Sequence, residues 1–569
     1  MEFNLAEGSR KTLLILPINT SLMKLQMSSR RLDSRVRSAG FQSTPRTLAR
    51  TVAIITSLFL CASAAFAKGK AEHVIILVWD GMRPDFITPQ YCPNLYSLAT
   101  NGVFFNKHHC AYVSSTEVNG TALATGVHPG RSGVIANTEY RPEISVTGTF
   151  ATEGLDAIRR GDMLTDGHYL GAETLAEILQ DKGIPTLIAG TKPVVLLHDR
   201  SNHKDSPAEK ESGLLFEGKT IPRSLGEGLP KVNDDKSWPS NAIPNTAQDN
   251  WTTRSLLRAL WKKNLPKYTL LWLSDPDKSQ HDVGVGAPNA LVGIESSDKN
   301  LGEVIKALKE RGIYEKTDIM VVSDHGFSTI SKGPDVVEIL KKAKFQAFKK
   351  NENPEPGDVM VVGLGGSVMF YVVGKNQDTV VNRLVEFLQQ SDFAGVVFSR
   401  LNIPGTFPLD SVRYGATNAG PDVMISMRWT SEKNEHGAPG MFYSMDGTKG
   451  KGSHASLSKW DMHNTLVAAG PDFKRAFINE TPSGNIDVAP TVLHLLGVKP
   501  PKPMDGRILR EALADGGEAP KAVTQTIEAK RELGLLRWKQ YLKFTEVDGA
   551  VYFDEGNGEP VIRTSGAGD

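Results

Sequence analysis

The sequence predicts an α/β protein built on a mostly parallel central sheet, and three observations carry that prediction. Residues 74–79 (VIILVW), 270–273 (LLWL) and 319–322 (IMVV) are unbroken apolar runs of strand length, as expected of strands buried on both faces. Segments with apolar residues three and four apart, the helical spacing, lie between and beyond them at 92–99, 172–182, 296–311 and 380–389, several ending in Asn-Gly or Gly. The chain has 569 residues, 40% hydrophobic and 23% charged, a globular profile with enough length for a large core rather than a disordered or polytopic membrane one.

The N-terminal stretch, residues 1–67, reads as an extension with a signal peptide. Arg46 and Arg50 precede the apolar run 51–60, and the small-residue stretch 61–67 ends in Ala65-Phe66-Ala67, which predicts cleavage after Ala67 and export to a periplasmic or extracellular compartment. The apolar run is too short for a stable membrane span. Residues 1–45 exceed the length of a signal n-region, so a start at Met23 or Met27 is the alternative. This stretch also holds nine Lys/Arg against three Asp/Glu, which leaves 56 against 61 in the remainder, a net charge of −5 beneath the overall +1. Such a body has no basic footprint for nucleic acid. Only Cys92 and Cys110 remain after cleavage; an exported context permits them to pair, and they are too few for a thiolate metal cluster.

Beyond residue 67 the alternation defines a core in two parts, 68–331 and 451–515, with a polar insertion at 199–250 and an inserted cap subdomain at 332–450. Residues 516–569 form a C-terminal extension, expected to hold an amphipathic helix at 527–541 and a hairpin-like segment at 551–553. The glycine-rich runs 447–453 and 363–366 lack the context of a phosphate loop and read as turns.

The chemistry lies at the strand ends. Asp80 directly follows VIILVW, Asp324 and His325 follow IMVVS, and Asp277 and His281 come just after LLWLS. Ligands of open α/β sheets bind outside the carboxyl ends of the strands, so these separated residues can converge on one crevice. Asp275-Pro276 resembles a helix start, with Asp275 as N-cap; a helix there sets Asp277 and His281 four apart on one face. Together with His454 in a glycine-rich turn, these residues make an oxygen and nitrogen donor set suited to zinc or manganese. Two divalent ions against three carboxylates leave a cationic site for an anionic substrate.

A nucleophile candidate lies between the first two ligand groups, in Ser114-Ser115-Thr116-Glu117 ahead of the small-residue helix 119–125. Ser114 with Glu117 also forms a capping-box pattern, so plain helix capping competes with the catalytic reading. In the catalytic reading, a hydroxyl at a helix N-terminus faces a phosphoryl group while backbone N–H groups hold its oxygens. His108 and His109 read as structural or supporting residues.

Asp80-Gly81, Thr116 before Leu-Ala-Thr-Gly, Asn137, Asp277-x-x-x-His281, Ser323-Asp324-His325-Gly326 and Gly452-Ser453-His454, in that order, resemble the alkaline phosphatase superfamily, and within it the type I phosphodiesterase/nucleotide pyrophosphatase family. The likeness extends through Asn485-Ile486-Asp487-Val488-Ala489-Pro490-Thr491 to Met504-Asp505-Gly506-Arg507. The resemblance implies an alkaline-phosphatase-like core with helices on both faces of the sheet and two zinc ions, one held by Asp277, His281 and His454, the other by Asp80, Asp324 and His325. It further implies Thr116 as a metal-bound nucleophile that forms a covalent phospho-threonine, and Asn137 as the residue that holds a nonbridging phosphate oxygen. Two positions depart from the family pattern: Thr116-Glu117-Val118-Asn119 stands where Thr-Phe-Pro-Asn is common, and Ala455 replaces the glycine expected after the last histidine.

A sulfatase of the same fold needs a Cys or Ser inside C/S-x-P-x-R, and residues 114–118 have neither the Pro nor the Arg. A non-catalytic binding protein has no need of both ligand sets and a nucleophile, and a phosphomutase fits poorly with export. Threonine-type monoesterases of the superfamily add a Lys and an Arg two residues apart; here Lys192 is present as a substrate-binding candidate, but Val194 stands where the Arg belongs. The expected activity is therefore hydrolysis of small-molecule phosphodiesters or pyrophosphates, with a phosphomonoesterase as the alternative.

Overall fold

A computed structural model describes residues 69–145, 148–201, 207–261, 265–415 and 420–563. The first apolar run forms β1 (His73–Trp79). Val74, Ile76 and Val78 of this strand enter one apolar core, while Ile75, Leu77 and Trp79 enter another. A strand that buries alternate residues in different cores is a central strand covered on both faces, as its unbroken apolar sequence requires. The second core takes Leu95 and Leu98 of α1 (Pro93–Asn101). β2 (Val103–Phe105) follows, and then α2 (Thr116–Thr125), whose ten residues are all buried.

The rest of the central sheet is β3 (Thr186–Gly190), β4 (Gly213–Phe216), β5 (Lys219–Ile221) and β6 (Tyr268–Leu273). After α3 (Asp277–Val283) and α4 (Pro288–Glu310) come β7 (Thr317–Val322), β8 (Leu466–Ala469) and β9 (Phe477–Asn479). The nine strands run in the order β9-β2-β8-β7-β1-β6-β3-β4-β5. Only β8 and β5 oppose the common direction. Helix α4 covers one face through Ile294, Leu301, Val304 and Leu308, and α5 (Val488–Leu495) covers the other. Val78 is level with both Trp272 and Val322, so β1, β6 and β7 end together at one edge of the sheet.

Two expectations are corrected. The segment 199–250 is not merely an insertion, because it supplies β4 and β5, the outer strands of the central sheet. Gly213-Leu-Leu-Phe216 sends Leu214 and Phe216 to one core and Leu215 to the other, but four apolar residues in a polar surround are too short to stand out as a strand. The second correction concerns the C-terminus, where 527–541 is not a helix. It belongs to an antiparallel sheet of β10 (Ala522–Leu533), β11 (Leu536–Val547) and β12 (Ala550–Ile562), which also absorbs the segment 551–553. Gly534, at φ +64°, turns the first hairpin, and Asp548-Gly549, at +50° and +85°, turns the second. Trp538, Gln540 and Leu542 are buried two apart, a strand period that overrides the helix-forming Glu, Ala, Lys and Arg of the preceding residues.

Between the two parts of the core, residues 347–427 build a second, six-stranded sheet in the spatial order Ala347–Phe348, Val359–Gly363, Ser367–Val372, Val423–Met427, Ala394–Ser399, Phe407–Pro408. Helices Val336–Lys342 and Asp378–Gln389 share one apolar core with it. On its other side Phe398, Val396 and Met424 meet Leu542, Val551 and Phe553 of the C-terminal sheet. Cys92 and Cys110 are buried free thiols. Among the described residues no helix is long and apolar enough to cross a membrane, and the signal segment lies outside them.

Candidate active site

The common edge where β1, β6 and β7 end carries the site. Asp80 follows β1, Asp324 and His325 follow β7, and α3 begins at Asp277 just past β6. The helix α3 starts one residue later than expected, at Asp277, but Asp275 still caps it: its carboxylate accepts from the backbone N–H of Ser279, the third helical residue, at 3.1 Å and from Ser279 Oγ at 2.8 Å. The expected pairing on one helix face holds, with Asp277 Oδ1 3.2 Å from His281 Nε2. The same oxygen is 3.6 Å from His454 Nε2 and 4.0 Å from His325 Nε2, so Asp277 lies at the centre of the cluster. His325 Nε2 is also 3.2 Å from Asp324 Oδ2 and 3.7 Å from Asp80 Oδ1. The structure thus brings all six sequence-selected donors into one crevice.

The histidines share one orientation. His281 Nδ1 faces Gly452 O at 3.2 Å, His325 Nδ1 faces Gly326 O at 2.9 Å and His454 Nδ1 faces Ser114 O at 2.8 Å. A carbonyl oxygen only accepts, so each Nδ1 carries the proton and each Nε2 turns its lone pair toward the carboxylates. Asp80 Oδ1, Asp277 Oδ1 and Asp324 Oδ2 are buried without a hydrogen-bond partner. Buried carboxylate oxygens facing imidazole lone pairs are a donor set that fits divalent cations.

Burial, then the charge of Asp324, raises Asp80 well above the usual carboxylate range, and burial pushes Asp324 up to about 7. Burial also raises Asp277, but Lys192 and His281 outweigh it and hold that carboxyl well below its ordinary value. Burial lowers both His325 and His454, the latter further through its two histidine neighbours.

Thr116 is the first residue of α2, and its Oγ1 is 3.3 Å from His325 Nε2. The competing capping role is absent: Ser114 Oγ donates to Ser456 O at 2.7 Å, and the N-cap residue Ser115 makes no side-chain capping bond. Asn137 Oδ1 accepts from Glu117 N–H at 3.1 Å, which leaves its Nδ2 as the donating end beside the helix start. Lys192, just past β3, reaches Asp80 Oδ2 at 2.9 Å, Asp277 Oδ2 at 3.0 Å and Thr116 Oγ1 at 3.5 Å. Val194 is fully buried in the core and presents nothing to the crevice.

The sequence reading gave no role to the residues that hold these groups in place. Trp272 Nε1 donates to Asp80 Oδ2 at 2.8 Å, and Gly81 N–H to Asp324 Oδ1 at 3.0 Å. Asn485 Nδ2 donates to Asp324 O at 2.6 Å and to Asn119 Oδ1 at 3.1 Å. Asn119 carried a local signal, since it is the one residue of Thr116-Glu117-Val118-Asn119 besides the threonine that keeps the family pattern; Trp272 carried none beyond its place in an apolar strand. Ala455 sits at φ +78°, a left-handed conformation that a glycine at this position would adopt without strain.

The family model for type I phosphodiesterase/nucleotide pyrophosphatase matches residues 74–454. Among curated proteins, the chain is 20% identical over 450 residues to bis(5'-adenosyl)-triphosphatase enpp4 of Xenopus laevis, covering 79% of this chain and 82% of that protein. It is also 20% identical over 283 residues to a venom phosphodiesterase of Macrovipera lebetinus, covering 48% of this chain and 28% of that one. Among solved structures, murine ectonucleotide pyrophosphatase/phosphodiesterase 5 superposes with a TM-score of 0.54 at 18% identity, over 78% of this chain and 100% of that chain. That likeness extends the agreement to the fold.

Proposed function

Because the chain belongs to the type I phosphodiesterase/nucleotide pyrophosphatase family, and with it hydrolyses phosphate esters, we propose that it cleaves phosphodiester or pyrophosphate bonds of small molecules through a covalent phosphate ester on Thr116. The observation that carries this reading is the position of Thr116 Oγ1, at the start of a helix and 3.3 Å from an imidazole of the six-donor cluster. We assign one zinc ion to Asp277, His281 and His454 and a second to Asp80, Asp324 and His325, with Thr116 beside them. When bound, such ions supply Lewis-acid stabilisation of the phosphoryl oxygens and favour the alkoxide form of a neighbouring hydroxyl.

Thr116 Oγ1 gives up its proton and attacks phosphorus, forming the P–Oγ1 bond as the P–O bond to the leaving alcohol or phosphate breaks, and the departing oxygen takes up one proton in exchange. Water then attacks the same phosphorus, P–Oγ1 breaks and Thr116 regains its proton. Asn137 Nδ2 donates to a nonbridging oxygen. Lys192 adds a cation beside Thr116, and Val194, which stands where the Arg of a monoester clamp belongs, is buried, which favours the less charged diester. The 332–450 insertion touches the site where Gly366 N–H donates to His454 O at 2.8 Å, and we assign substrate selection to it as a cap. The signal-like segment ending at Ala67 supports export to a periplasmic or extracellular compartment.

Replacing Thr116 by Ala is expected to lower kcat/KM for a bis(aryl) phosphate by at least ~10³-fold, while Ser at the same position retains part of the activity and Ala at Ser114 or Ser115 costs far less. Mass spectrometry of acid-quenched enzyme should find phosphate on Thr116. Phosphate on another residue would overturn the assignment.

A further inference from the structure

His109 is buried and takes no part in the site described above. An isolated antiparallel bridge pairs it with His463, and residues opposed across such a bridge project to the same side. Their rings are 4.2 Å apart between centroids. From the C-terminal sheet, Asp554 of β12 reaches the same spot, with Oδ1 3.1 Å from His109 Nε2. One donor atom from each of the three residues lies within 4.8 Å of the other two.

The orientation of His109 repeats that of the catalytic histidines. Its Nδ1 is 3.2 Å from Ser483 O, which only accepts, so Nδ1 carries a proton, and in the neutral ring Nε2 turns a lone pair toward the carboxylate. In that form two acceptors face each other at this distance, and a cation between them satisfies both. The second Asp554 oxygen is already engaged, accepting from Thr545 Oγ1 at 3.0 Å. Bonds of ~2.0–2.1 Å to a tetrahedral ion separate neighbouring ligand atoms by roughly 3.3 Å, close to the observed 3.1 Å between Nε2 and Oδ1.

We propose that His109, His463 and Asp554 bind a further divalent transition-metal ion, of the zinc class, that fastens the C-terminal sheet to the core. Two imidazoles and one carboxylate suit zinc, and the Asp554 side chain is 14% exposed, so the cluster meets solvent on that side. The three residues lie far apart in sequence and on separate elements, so an ion there joins segments that no covalent bond links. The neighbouring residues lead to the catalytic scaffold: His108 Nε2 pairs with Asn485 Oδ1 at 3.0 Å, and Asn464 Nδ2 donates to the same oxygen at 3.1 Å.

The test is an anomalous difference map from crystals of the full chain saturated with zinc, recorded on both sides of the zinc absorption edge. A peak between His109 Nε2, His463 and Asp554 is expected. No peak there at saturating zinc overturns the proposal, whatever the catalytic crevice holds, and means that a proton bridges the pair instead. In solution, Asp554→Asn and His463→Gln should each lower the zinc bound per chain by one, while kcat for a bis(aryl) phosphate stays within about threefold of wild type. Unchanged zinc content in folded variants also overturns it, and if both variants fail to fold the map on the wild-type chain decides.

Discussion

Asn119→Ala is expected to loosen the segment that leads into Thr116, the proposed nucleophile. Asn119 is fully buried; its Oδ1 accepts from Ala111 N–H at 2.7 Å, and its Nδ2 donates to the carbonyls of Ala111, Val113 and Ser115 at 3.0, 3.3 and 3.1 Å. After truncation, Val113 O keeps the Ser115 N–H, Ser115 O keeps the residue 119 N–H, and Asn485 Nδ2 keeps Asp324 O. Ala111 N–H and Ala111 O are left as the two groups without partners. At about 1–3 kcal/mol for each buried unsatisfied group, the cost is about 2–6 kcal/mol. With roughly 2 cal/mol/K of unfolding entropy per residue, a chain of this size loses about 1 °C of Tm per kcal/mol, so the midpoint should fall by about 2–6 °C. Because residues 111–115 lead directly into Thr116, a displacement near 1 Å should also lower kcat by ~10²-fold with a smaller change in KM. Differential scanning fluorimetry and steady-state kinetics on a bis(aryl) phosphate read both effects. A variant with a lowered midpoint and wild-type kcat would refute the positioning role, and one unchanged in both would refute the accounting of hydrogen bonds.

Three further outcomes are expected. Burial, then Asp472, pushes Asp318 up to about 9, so the folded state holds a proton that the unfolded chain releases above pH ~4, and stability falls as pH rises between those values; Asp318→Asn should therefore stabilise by at most about 4 kcal/mol at pH 7 and by nothing below pH 4, and a gain independent of pH in denaturant titrations would contradict this. Lys192→Ala should lower kcat/KM for an aryl monoester by about 10-fold more than for a bis(aryl) diester; a strong wild-type monoester preference that collapses in the variant would reverse the diester assignment. At Ala455, glycine relieves about 1–2 kcal/mol of left-handed strain but loses a buried methyl and adds unfolded-state entropy, leaving stability within ~1 kcal/mol of wild type; Ala455→Val should cost at least ~2 kcal/mol, and equal midpoints for the two variants would show that the φ of +78° does not govern this position.

Local sequence determined the parts of this protein in which each signal lies within a few residues. The runs 74–79, 270–273 and 319–322 are apolar without interruption because their strands are covered on both faces, and Asp80, Asp277, His281, Asp324 and His325 follow those runs because a strand end is where the sheet opens to a ligand. His454 showed locally only as a histidine in a glycine-rich turn and Thr116 as one of three hydroxyls at a helix start, and motif order singled both out. Tertiary structure decided what depends on partners far along the chain. Whether Ser114 caps a helix or braces Ser456 turns on a contact 342 residues away, and Asn119 finds Asn485 across 366. The C-terminal strands show the same limit: 527–541 holds helix-forming residues, and what makes it part of a sheet is the pairing of β10 with β11, then of β11 with β12, together with burial of Leu542, Val551 and Phe553 against the inserted sheet. Intrinsic propensity differs by less than about 1 kcal/mol per residue between such states, so burial and cross-strand pairing with distant segments outweigh it.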